Sequence, residues 1–106
     1  MFRDDAHKAE AIRVLLRKLS LDRFWGDLRP TEEAFGDLAG LSSGEVTLLR
    51  VALDIWAPQN RGAPLGDITQ TLDLDIQIAI FWLMLAINSG DDGSSIDRWV
   101  RNNSSV

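Results

Sequence analysis

The sequence predicts an all-α fold, a compact single-domain bundle of six or seven helices. Three observations predict it. Apolar residues recur at helical spacing in several segments, cap residues precede those segments, and no stretch shows convincing period-two alternation. The most apolar segment is "DIQIAIFWLMLAI", in which Ile76 to Ile87 contains one polar side chain, Gln77. At 106 residues the chain fits one domain, assigned here to residues 1–101 with a flexible polar tail at 102–106.

In chain order, Ala9, Ile12, Leu15, Leu16 and Leu19 place one apolar face on a helix over residues 4–19, with His7, Arg13, Arg17 and Lys18 facing away. Ser20 is expected to cap a short second helix with Leu21, Phe24, Trp25 and Leu28 on its apolar side, ended by Arg29-Pro30. Thr31, Glu32 and Glu33 suit a third helix start, and Gly40 a helix stop. "SSGE" at 42–45 is a capping box. The helix behind it carries Val46, Leu49, Leu53 and Trp56 in one row, with Thr47, Arg50 and Asp54 on the wet side. "APQNRGAP" at 57–64 reads as a loop, 65–72 as a short helix and "DLD" as a turn. Asp75 is expected to cap the apolar helix, which runs to about Ser89. "GDDGSS" is a second loop, and "SIDRWVRN" a last short helix.

Composition narrows the chemistry. There are no cysteines, which excludes disulfides, zinc–thiolate sites and thiol catalysis. Residues 1–29 hold seven Lys/Arg and five Asp/Glu, and residues 30–106 hold four and eleven, so the charge runs from +2 to −7. An acidic majority opposes general phosphate-backbone binding. The first residues lack the basic start and apolar core of a signal peptide, and the 76–87 run falls short of the roughly 20 residues of a membrane span. A cytoplasmic protein without membrane contact is the expectation. "DDGSSID" lacks the alternate oxygen ligands of a calcium loop, and no nucleophile motif or glycine-rich phosphate loop is present. The sequence implies no enzyme, no cofactor and no small-molecule ligand. A small enzyme built from scattered acids and Arg50 ranks as the weakest alternative.

A short helix, a turn and a longer apolar helix over 65–84, with Ile68, Leu72, Leu74, Ala79 and Trp82 at the internal places, resemble a helix-turn-helix. With the helix that precedes them, residues 41–90 resemble, at superfamily level, the first three helices of winged-helix regulators. That resemblance implies a DNA-reading second helix and a short wing hairpin near 88–96. Two residues depart from the pattern, Asp73 for the usual glycine and Thr69 for the usual alanine. The reading positions are Ile76, Gln77, Ile80, Phe81 and Met84, where a DNA reader needs polar groups. The leading expectation is therefore an interaction module that contacts itself, as a homodimer, or another protein through Ile80, Phe81, Met84 and Trp99. The alternative is a transcriptional regulator that contacts nucleic acid through Arg13, Arg17, Lys18 and Gln77. Trp25, Trp56 and Trp82 are expected in the core, and Trp99 either clamps the last helix to the body or anchors a partner.

Overall fold

Helix α1 (Asp5–Leu16) starts where the Asp4 side chain accepts the His7 N–H at 2.8 Å, and Asp5 places a negative charge in its first turn. Ala9, Ile12, Leu15 and Leu16 are fully buried, as the spacing predicts, and Ala11 and Val14 join them. This makes α1 the helix most completely wrapped by the others. A 3₁₀ turn (Arg17–Leu19) tightens its end, and Ser20 closes it in the left-handed region at φ 59°. Ser20 thus terminates a helix instead of starting one.

The computed structural model describes residues 1–58 and 65–104. Among these residues it contains five α-helices, three 3₁₀ turns and no strand, so the fold is all-α with fewer helices than the periodicity predicts. The shortfall lies between residues 20 and 41. The second expected helix is one 3₁₀ turn (Asp22–Phe24), because Trp25 is extended and forms an isolated antiparallel bridge with Pro30. Gly26 N–H donates to Arg29 O at 2.8 Å across the intervening turn. Leu21, Phe24 and Trp25 are buried from this irregular backbone while Leu28 is exposed. The third expected helix is likewise one 3₁₀ turn (Glu32–Phe35), interrupted by Gly36.

Helix α2 (Ser43–Trp56) carries the expected capping box: Ser42 Oγ accepts from Glu45 N–H at 3.2 Å and Glu45 Oε1 from Ser42 N–H at 2.9 Å. Donation from the Ser42 backbone N–H, and then from its hydroxyl, holds the Glu45 carboxyl below its ordinary range. Thr47, expected on the wet side, is buried. It donates to Ser43 O and accepts from Thr71 Oγ1, both at 2.9 Å. Thr71 ends α3 (Leu65–Thr71), and a Cβ on Gly44 would lie 2.7 Å from Thr71 O, so the two backbones meet where only glycine fits. At the other end of α2, Lys8 Nζ donates to Trp56 O at 3.2 Å and sits 5.2 Å from the Trp56 ring centre. Trp25 packs edge-on against the same ring at 5.9 Å. The expected loop at 57–64 lies largely outside the described residues.

Helix α4 (Leu74–Ile87) follows α3 after Leu72 and Asp73 alone. Asp73 occupies the N-cap position, and Asp75 stands in the first turn rather than at the cap. Of the five places expected to be internal in a helix-turn-helix, Leu72 and Ala79 are buried and Ile68 is partly so, but Leu74 and Trp82 are exposed. In place of the expected wing, residues 88–93 form turns without a strand, and helix α5 (Ser94–Ser104) starts at Ser94 and extends through the start of the expected tail, whose last two residues lie outside the described ones. It packs on both α1 and α4, so one apolar core draws on every α-helix except α3, whose Ile68 packs against its edge.

Candidate functional site

The 76–87 segment is covered on one side only. Ile76, Ala79, Ile80, Leu83 and Ala86 face the core. Leu74, Ile78, Phe81, Trp82, Met84 and Leu85 are exposed, each between 47% and 69%. A helix apolar all round calls for burial all round; within this chain α4 has a buried half and a bare half.

The local cause is the way α5 docks. Trp99 is buried, and its indole N–H donates to Ala79 O at 2.9 Å. Ala79 and Ala86, seven residues apart on α4, are the small side chains that let α5 approach there. With α5 on that flank and α3 on the other, where α2 lies across a groove, the outward arc of Leu74, Ile78, Phe81, Trp82 and Leu85 is left to solvent.

A groove runs along each side of this ridge. The one between α4 and α5 has a volume of about 520 Å³, with Ile78, Trp82 and Leu85 as one wall and Arg98, Asn102 and Asn103 as the other. The one between α4 and the α2–α3 pair has a volume of about 320 Å³ and is floored by Val51, Ile55, Ile68 and Ile80, beside Phe81 and Met84.

Of the expected contact residues, Phe81 and Met84 are exposed. Ile80 and Trp99 are buried in the chain's own core and reach only the floors of the two grooves. Ile78, Trp82 and Leu85 complete the patch and were not expected there. The one signal in the sequence is the Ala79/Ala86 pair, which marks the closely packed side and so places the bare side opposite.

Three of the four residues of the nucleic-acid alternative are used locally. Gln77 Nε2 donates to Leu72 O at 2.8 Å and so holds the end of α3. Arg13 donates to Gly26 O and lies 3.9 Å from Asp27; Arg17 pairs with Asp22 at 3.5 Å. These contacts tie α1 to the 20–31 segment. Lys18 is half-buried in the turn after α1. Compared with protein-family models, curated proteins and solved structures, the chain matches none.

His7, expected on a solvated face, is instead buried in a clamp between the N-terminal segment and α5. Its Nδ1 accepts the Arg3 N–H at 3.1 Å, so Nε2–H is the donor to Asp97 Oδ1 at 2.9 Å. Both ring nitrogens are engaged, which leaves neither for a substrate proton. Asp97 also accepts hydrogen bonds from Arg3 Nη1 and Nη2, both at 2.9 Å. Gly93, at φ 99°, makes room: a Cβ there would lie 2.8 Å from Arg3 Nη1 and 2.9 Å from His7 Cε1. Among the described residues no group of three His, Asp or Glu side chains could hold a metal.

The Arg3 guanidinium, aided by His7, holds the Asp97 carboxyl at about 2, below its ordinary value. A carboxyl depressed in the folded state adds stability above its unfolded value of about 3.9, and that stability is lost as pH falls toward the folded value. Asp97→Asn is therefore expected to be less stable than the parent at neutral pH, with the gap closing between about pH 4 and pH 2. Urea midpoints of both proteins across that range check it; a constant gap would mean that the carboxylate charge contributes nothing.

Proposed function

We propose that this protein is an interaction module whose working surface is the bare face of α4. The observation that carries the reading is a single helix with six large apolar side chains in solvent and no lysine or arginine among its fourteen residues. At roughly 200 Å² per large side chain, with a little over half of each exposed, they present on the order of 700 Å². The largest apolar patch on an ordinary monomer is about 300–600 Å². At about 25 cal/mol per Å² that area carries roughly 17 kcal/mol of transfer free energy, at least the whole stability of a domain of about 5–15 kcal/mol. An apolar face of this size, flanked by polar residues such as Asp54, Gln77, Arg98 and Asn102, has the layout of a protein interface with its dry centre and polar rim.

Oxidative footprinting tests the reading. Trp82 and Met84 are expected to react freely in dilute purified protein and to be shielded at the protein's natural abundance in an extract of the cells that make it. Leu28, exposed elsewhere on the molecule, serves as the control that should not change. Equal reactivity of Trp82 and Met84 in both settings would remove the proposal.

A further inference from the structure

We infer that the occupant of the α4 face is a second copy of this chain, with the two α4 helices side by side and nearly parallel, each lying in the α4/α5 groove of the other. This rests on the reading of α4 as an interaction surface and adds the partner and its orientation. The first argument is area. On the order of 700 Å² per chain approaches the roughly 800 Å² per partner of a standard interface.

The second argument is shape. The surface is a ridge with a groove beside it, so it is complementary to itself. Helices pack ridge into groove, and two ridges set crest on crest would leave the 520 Å³ groove empty beside them. A symmetric pair that brings two faces together has its two-fold axis in the plane of contact. An axis across α4 makes the helices antiparallel and lays ridge on ridge. An axis along α4 shifts the partner's ridge sideways, so that each fills the same groove of the other. Only the second arrangement uses the groove. It completes a four-helix layer from α4 and α5 of two chains, with Ile78, Trp82 and Leu85 facing their own counterparts.

The third argument is charge. The ridge carries none, and each chain bears a net charge of −5, so like copies gain nothing from long-range attraction. The ridge is apolar, Asp75 and Arg98 line the groove beside it, and both chains are acidic, so added salt should leave the contact intact or strengthen it by screening. A strongly basic partner would show the opposite dependence. A lipid surface is disfavoured by the absence of basic residues on α4.

The protein contains no cysteine, which makes the orientation directly testable. Ile78 and Leu85 are two turns apart, about 10.5 Å along the helix. In the parallel arrangement Ile78→Cys and Leu85→Cys, made singly, should each form a disulfide-linked dimer under mild oxidation, because a disulfide needs Cα atoms about 4.4–6.8 Å apart. An antiparallel pair can bring at most one of these positions to its own counterpart. Sedimentation of the unmodified protein should show a dimer at micromolar concentration from low to high salt. A monomer at high micromolar concentration would overturn the second copy as occupant. If the α4 footprint still appeared in extract, the interaction reading would survive with a different partner. Shielding by anionic vesicles alone would favour lipid and overturn both. Linkage at only one of the two cysteines would overturn the groove arrangement.

Discussion

Ile80→Glu is expected to unfold the protein, while Phe81→Glu, one residue later on the same helix, leaves it folded. Ile80 is 3% exposed and Phe81 61% exposed. A carboxylate at position 80 would sit in the shared core without a partner, a penalty of several kcal/mol against a total stability of about 5–15 kcal/mol. At position 81 the glutamate stands in water and replaces a phenyl ring that loses little on leaving. The helical circular-dichroism signal of the two variants at room temperature checks the pair. A folded Ile80→Glu would mean that α4 is rotated from the position described. An unfolded Phe81→Glu would mean that the bare face is covered within the chain.

Trp99→Ala is expected to cost about 3–5 kcal/mol, as large-to-small changes at buried aromatic sites do. The indole is 4% exposed, fills the seam between α4 and α5, and ties the two helices through Ala79 O. Trp99→Phe keeps most of the ring and loses the hydrogen bond, so about 0.5–1.5 kcal/mol is expected. Thermal unfolding of the three proteins should place the phenylalanine variant near the parent and the alanine variant far below. A Trp99→Ala protein that kept parental stability would assign the tryptophan to a partner instead of the core.

These variants fall where the sequence is least informative. In α1, Ala9, Ile12, Leu15 and Leu16 stand among polar residues, so spacing alone identifies the buried side. In α2, Ser42 and Glu45 announce the start of the helix by local hydrogen bonding. Helix α4 has no such contrast. When nearly every position is apolar, periodicity cannot say which half is covered, and the answer depends on where α5 docks. The same limit applies to His7 and Thr47, whose surroundings come from residues 90 and 24 positions away in the chain. Between residues 20 and 41 the apolar spacing is compatible with short helices. Two 3₁₀ turns and the Trp25–Pro30 bridge prevail because they bury Leu21, Phe24 and Trp25 together without a regular face. The polar alternative through Arg13, Arg17 and Gln77 was legible as composition but not as use, since each side chain serves a neighbouring backbone or acid.

The clamp of Arg3, His7 and Asp97 also sets an order of events during synthesis. The partners are separated by 94 and 90 positions, so the loop their contact closes spans most of the chain. A chain emerging from the ribosome at about 5–20 residues per second presents α1 for several seconds before α5 exists. In that interval α2 can shelter one side of α1, but the side that α5 will take must wait. A nascent chain halted before residue 94 would therefore hold the most buried helix of the finished protein with part of its apolar surface still open, and would be the species that chaperones or aggregation compete for.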